Sequence, residues 1–144
     1  MKTTPISIAE VELVAFSLAS ELLKYNEPIP DFGTRFPSVL ESCLAAPFQE
    51  FGGKFLYEGL IVKSSVLFYL MIKNHPFKNG NKRIAMMTLF YLLYKNKKWL
   101  NVDNQVLYNF AKWVAASDSL VKDAAIQAIE KFLGEHLESL NSEK

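Results

Sequence analysis

The 144-residue chain is half hydrophobic, with eleven Phe, six Tyr and two Trp, and its sixteen Lys and Arg against fifteen Asp and Glu leave a net charge of +1. That apolar supply is enough for a core without disulfides or a structural metal, so residues 1–144 are read as a single domain. The near-neutral balance excludes a general nucleic-acid binder, which carries a basic excess, and the lone Cys43 excludes an internal disulfide.

Helical periodicity dominates the chain in order. The first helix begins at Ser7, where Ser7 and Glu10 form a capping box, and Val11, Val14, Phe16, Leu18, Leu22 and Leu23 give it an apolar face. Asn26, Pro28 and Pro30 stop it, and a loop covers 27–36. A short helix over 37–45 takes Pro37 in its first turn and ends at Pro47. Cys43, beside Val39, Leu40 and Leu44, reads as a small core residue rather than a thiol nucleophile, with no histidine near it in sequence. Residues 48–57 carry Gly52-Gly53 between aromatics, which predicts a turn or a small hairpin.

Two helices over 58–74 and 81–96 are apolar on nearly every side, and a helix of that kind is buried. They are the expected central pair. Lys95, Lys97 and Lys98 follow the second, where the helix dipole favours cations, and read as a solvated end. Amphipathic helices over 103–116 and 119–140 wrap the pair. Trp99 and Trp113 read as core anchors, His136 as a surface residue, and 141–144 as a frayed end. The N-terminal segment lacks a signal-peptide pattern. The longest near-continuous apolar run, 84–94, is shorter than the roughly 20 residues that cross a bilayer. A cytoplasmic protein without membrane contact is expected.

Between the two most hydrophobic helices stands His75-Pro76-Phe77-Lys78-Asn79-Gly80-Asn81-Lys82-Arg83, more polar chemistry than a turn requires. Gly80 lets backbone approach a ligand closely. Asn81, Lys82 and Arg83 then open a helix, whose first turn offers unpaired N–H groups and a partial positive charge. Phosphate is the common ligand of such a site. Lys82 and Arg83 add two full charges, with Arg83 able to bind bidentately. His75 accepts a proton near neutral pH, and a base beside a phosphate cradle suits phosphoryl or nucleotidyl transfer to a hydroxyl. Phe77 is expected to pack inward and fix the loop. The plain alternative is a helix-capping His75 with Lys82 and Arg83 merely exposed.

The same nine residues resemble the Fic/Doc signature, His-x-Phe-x-(Asp/Glu)-Gly-Asn-(Gly/Lys)-Arg. Phe51-Gly52-Gly53 and Tyr57, before the helix that runs into the motif, resemble the flap of the death-on-curing (Doc) branch. The resemblance implies an all-α, Fic-type helical bundle around a buried central pair with a short hairpin flap. It implies ATP with Mg²⁺ and a protein hydroxyl as acceptor. Fic members transfer AMP. The Doc branch phosphorylates a threonine of translation elongation factor Tu and is neutralised by a small antitoxin. Lys82, where Fic enzymes have Gly, and Met86, where they have a second Arg, are similar to Doc. The resemblance thus implies a Doc-like toxin that phosphorylates a Ser/Thr hydroxyl, without direct nucleic-acid contact.

By position, His75 would be the general base. Asn79, Gly80, Asn81, Lys82 and Arg83 would hold nucleotide and phosphate, and Gly52, Gly53 and Lys54 would dock an extended target segment. One residue departs from the pattern: Asn79 stands where the family has its acidic metal ligand. An amide oxygen lacks the charge that suits Mg²⁺ and would hold it weakly or through water. AMP transfer, and a catalytically silent nucleotide-binding or interaction module, remain the alternatives.

Overall fold

A computed structural model describes residues 2–22 and 29–140. Helix α1 runs through Ile8–Glu10, Val11–Phe16 and Ser17–Leu22, the middle stretch wound as a π-helix. Its capping box forms: Glu10 N–H donates to Ser7 Oγ at 3.2 Å and Ser7 N–H to Glu10 Oε1 at 2.9 Å. The inward stripe is Val11, Ala15 and Ala19, all buried, and the two alanines let α1 lie close on its neighbours. Leu18 turns partly outward. The Leu22 side chain, Leu23, Asn26, Glu27, Pro28 and residues 141–144 lie outside what is described.

Helix α2 is Pro37–Ala45, with Pro37 in its first turn as expected. Cys43 is fully buried and its Sγ lies 3.5 Å from the Leu70 carbonyl. Burial pushes this thiol up to about 11, which makes it an inert core residue. The expected hairpin is present. Strands β1 (Glu50–Phe51) and β2 (Lys54–Phe55) pair antiparallel, Glu50 with Phe55 and Phe51 with Lys54. Gly52 and Gly53 have φ of 61° and 82°, the two consecutive positive values that a tight two-residue hairpin needs.

The central pair is α3 (Leu60–Lys73) and α4 (Asn81–Lys95). In α3 every residue from Lys63 to Ile72 is buried; in α4 every residue from Arg83 to Phe90 is. Helices α1, α5 (Asn104–Ala116) and α6 (Lys122–His136) pack around them, giving the all-α architecture that the apolar pattern predicts. Among the described residues no helix is long and apolar enough to cross a membrane.

Four expectations are corrected. The last helix stops at His136 rather than Leu140. Leu137–Ser139 instead forms β4 against β3 (Lys98–Leu100), with Trp99 opposite Glu138 and Leu100 opposite Leu137. Three residues on each side are too few to show a strand period. Trp99 and Trp113 are 41% and 50% exposed. Each covers the core with one face, Trp99 stacking on Phe90 at 5.2 Å and Trp113 on Phe110 at 5.6 Å. Lys95 is not a solvated helix end, because it pairs with Glu10 at 2.8 Å and donates to the Pro5 carbonyl at 2.8 Å. His136 is half-buried, with its ring against Phe132 and Nδ1 2.8 Å from the Phe132 carbonyl.

Candidate active site

The chain leaves α3 at Asn74, whose N–H still closes the helix on the Leu70 carbonyl at 2.9 Å. The next residue, His75, is exposed and has a φ of 52°. Positive φ is uncommon for a residue with a Cβ, and such strain persists only where the surroundings enforce it. Three anchors do so. Phe77 is 1% exposed and packs against Phe16 and Phe32 at centroid distances of 5.7 and 5.8 Å. The Pro76 carbonyl accepts from Phe36 N–H at 2.9 Å, which ties the loop to the start of α2. The Asn81 side chain clamps Phe77 from below: its Oδ1 accepts Phe77 N–H at 2.9 Å and its Nδ2 donates to the Phe77 carbonyl at 2.8 Å.

That clamp also fixes what faces the imidazole. Asn81 Nδ2 stands 3.5 Å from His75 Nδ1, the outer limit of a hydrogen bond, and an amide nitrogen can only donate there. A neutral imidazole accepting there carries its proton on Nε2. For Nε2 to act as a base the ring must hold the other tautomer, with Nδ1–H released from Asn81.

Helix α4 starts at Gly80, which has a φ of 74° and gives no side-chain cap. The first-turn N–H groups of Asn81 and Lys82 are thus not covered by an N-cap side chain, and they carry the positive end of the helix dipole. A Cβ at Gly80 would lie 2.8 Å from Ile29 Cγ1 and 3.4 Å from an Arg83 guanidinium nitrogen. Glycine is required there by conformation and by space together.

His75 and the helix start border one cavity of about 240 Å³, lined by Ile72, His75, Lys78, Asn79, Gly80, Asn81, Lys82 and Ala115. Of the residues singled out in the sequence, the fold brings His75, Asn79, Gly80, Asn81 and Lys82 together here. Arg83 is 3% exposed, with a guanidinium nitrogen beside Gly80, and is not among the residues that line the cavity. Gly52, Gly53 and Lys54 are also not part of it; their hairpin precedes α3, whereas His75 follows it. Three lining residues, Ile72, Lys78 and Ala115, were missed from sequence; Ile72 ends the buried run of α3 and reads there only as core. Lys78 had a local signal, a second cation in the same loop. Ala115 had none: it comes from the end of α5, held there by Lys73 Nζ, which donates to the carbonyls of Ala115 (3.2 Å) and Ser117.

The lining offers two ammonium groups, an imidazole and helix-start N–H donors, and no carboxylate. This donor set fits a phosphate-bearing anion. It does not fit a protein-held Mg²⁺, which takes one or two carboxylates. The one amide oxygen in the expected place, Asn79 Oδ1, accepts Gly80 N–H at 3.0 Å. Among the described residues no group of three or more His, Cys, Asp or Glu could hold a metal.

The sequence model of the Fic/DOC family matches residues 12–93, more than half of the chain, and that span contains α3, the whole loop and all but the last two residues of α4. Comparison with curated proteins and with solved structures gave no match.

Proposed function

Because the chain belongs to the Fic/DOC family, we propose that it transfers a phosphate from ATP to a Ser or Thr hydroxyl of a target protein. One observation carries this reading: His75 and the uncapped start of α4 line the same cavity, with Lys78 and Lys82 at its walls. The acceptor hydroxyl loses its proton to the imidazole while its oxygen attacks the terminal phosphorus. The bond from that phosphorus to the bridging oxygen breaks, and ADP leaves. The cavity is smaller than the ~300 Å³ at which pockets for whole drug-sized ligands begin. It therefore takes the phosphate end of the nucleotide, with the adenosine outside. Lys78, Lys82 and the helix-start N–H groups hold charge that builds on the phosphate oxygens.

The Doc-like details rest on the sequence resemblance at Lys82 and Met86. They are a toxin role, a translation factor such as elongation factor Tu as target, and a small antitoxin as partner. Gly52, Gly53 and Lys54 remain the proposed docking edge. Helix α3 has 14 residues and spans about 21 Å. A target strand paired at the hairpin would thus need about six extended residues to bring its hydroxyl to His75.

Asn79 favours a second reading, a nucleotide-binding or interaction module without catalysis. Family members generally use ATP with Mg²⁺, and this lining supplies no carboxylate for the ion. The deciding experiment incubates the protein and His75→Ala with cell extract, Mg²⁺ and ATP labelled at either the γ or the α position. Phosphate transfer labels protein from γ-labelled ATP only, and in wild type only. Label from the α position would mean AMP transfer. Equal labelling by both proteins would end the catalytic claim.

A further inference from the structure

Lys63 is a lysine in the wrong place for a solvated charge. It is 2% exposed and opens the run of ten buried residues in α3. A buried ammonium is unfavourable unless its protons find partners. The partners of Lys63 are not carboxylates but parts of the hairpin's two roots. Its Nζ donates to the Tyr57 carbonyl, just after β2. It lies 4.0 Å from the ring centroid of Phe55, within β2, and 5.8 Å from that of Phe48, just before β1. One cation on α3 therefore touches both arms of the hairpin.

The hairpin needs such a hold. It has two paired positions, and an isolated two-stranded ribbon is marginal in water even when longer. Below the pairs, Leu56 N–H donates to the Gln49 carbonyl at 3.1 Å, and that bond closes the root around the ammonium. The exposed tip carries Phe51, 85% exposed, and Lys54. Its side chains offer one apolar and one cationic contact to an incoming strand.

We propose that Lys63 is a positioning residue: its ammonium latches the root of the hairpin to α3 and thereby sets the edge on which the target segment docks. The docking half of this proposal rests on the transfer reading above; the latch half does not. Lys63 touches neither nucleotide nor acceptor. Its effect passes through the hairpin and is felt in target recognition, while the cavity at the far end of α3 keeps its geometry.

The test combines hydrogen–deuterium exchange with labelling from γ-labelled ATP in serial dilutions of cell extract. In Lys63→Met, amides of 49–56 should exchange about tenfold faster, the scale of a lost buried cation–π contact, with 75–94 unchanged. Lys63→Arg keeps a donor for the Tyr57 carbonyl and a cation for the rings, and should restore most of the protection. The extract concentration for half-maximal labelling should rise about tenfold in Lys63→Met, with the plateau and the ATP requirement unchanged. Should Lys63→Met not fold, Phe55→Leu removes one ring while keeping the Tyr57 bond, and should loosen 49–56 in the same direction. Unchanged exchange at 49–56 in these variants, or loosening that spreads equally into 75–94, overturns the latch. A loosened hairpin with unaltered half-saturation overturns the docking role. Wild type that labels nothing, with 49–56 still loosened by Lys63→Met, removes the transfer reading and leaves the latch supported.

Discussion

At its C-terminal end α4 is stitched to the rest of the chain, and at its N-terminal end it is left open. Past Lys95 the Asn96 side chain donates to the Thr4 and Leu92 carbonyls at 3.0 and 2.8 Å and accepts Thr4 N–H at 2.7 Å. Lys95 joins Glu10 and Pro5. Lys97, at a φ of 65°, still donates its N–H to the Tyr94 carbonyl at 3.0 Å. At the other end Gly80 has no side chain with which to cap, and the Asn81 amide is turned back onto Phe77. Both ends contain a non-glycine residue at positive φ. At the C-terminal end the strain sits among paired groups and serves the fold. At the N-terminal end it presents an imidazole beside N–H donors that no N-cap side chain covers, the arrangement on which the proposed phosphate site rests.

The contrast can be broken most sharply at His75. His75→Ala should lower transfer by about 10²–10⁴-fold in the labelling assay, and shift the melting temperature by less than about 2 °C, because the side chain is exposed. Gly80→Ala comes next. It places a Cβ at a φ of 74° against Ile29 and should destabilise by about 1–3 kcal/mol in urea unfolding. Asn79→Asp sharpens the electrostatic side. By calorimetry, wild-type affinity for ATP should change by less than about threefold between Mg²⁺ and EDTA, whereas the variant should gain about tenfold with Mg²⁺. A strong Mg²⁺ dependence in wild type would show that the ion finds ligands outside the cavity lining.

The smallest effect belongs to the stitched end. Glu10→Gln should cost about 0.5–1 kcal/mol at neutral pH, the scale of a partly exposed pair, and leave transfer untouched. Burial alone would raise the Glu10 carboxyl, but Lys95 and Ser7 outweigh it and hold it below its ordinary value of 4.5. A depressed folded value means stability that is present above pH 4.5 and fades as pH falls through the folded value. Urea unfolding between pH 7 and pH 3 should show that loss in wild type and a shallower one in the variant.

Sequence reading reached furthest where the physics is local. The bounds of α2 and α4, the Ser7–Glu10 box, the Gly52-Gly53 turn and the burial of Phe77 each follow from a few adjacent residues or from a continuous apolar period. It failed where the partner is distant. Trp99 and Trp113 have the apolar bulk of core residues, yet each stacks on a ring at the edge of the core, and they stay 41% and 50% exposed. Leu137 left the helix because β3, more than thirty residues earlier, offered it a strand edge.

The amino-acid order by itself determined that two apolar helices would be buried side by side and that a His-to-Arg segment rich in cations would join them. Periodicity and chain connectivity suffice for that. Which groups of that segment face a common space was decided only by the fold. Packing set the phase of α4, which put Lys82 on the cavity lining and buried Arg83 with a guanidinium nitrogen beside Gly80. Hydrogen bonding turned Asn81 inward, Lys73 brought Ala115 in as a wall, and Lys63 was enclosed by the hairpin's roots. Side-chain direction depends on what is packed against each helix face, and those neighbours come from elements far away along the chain.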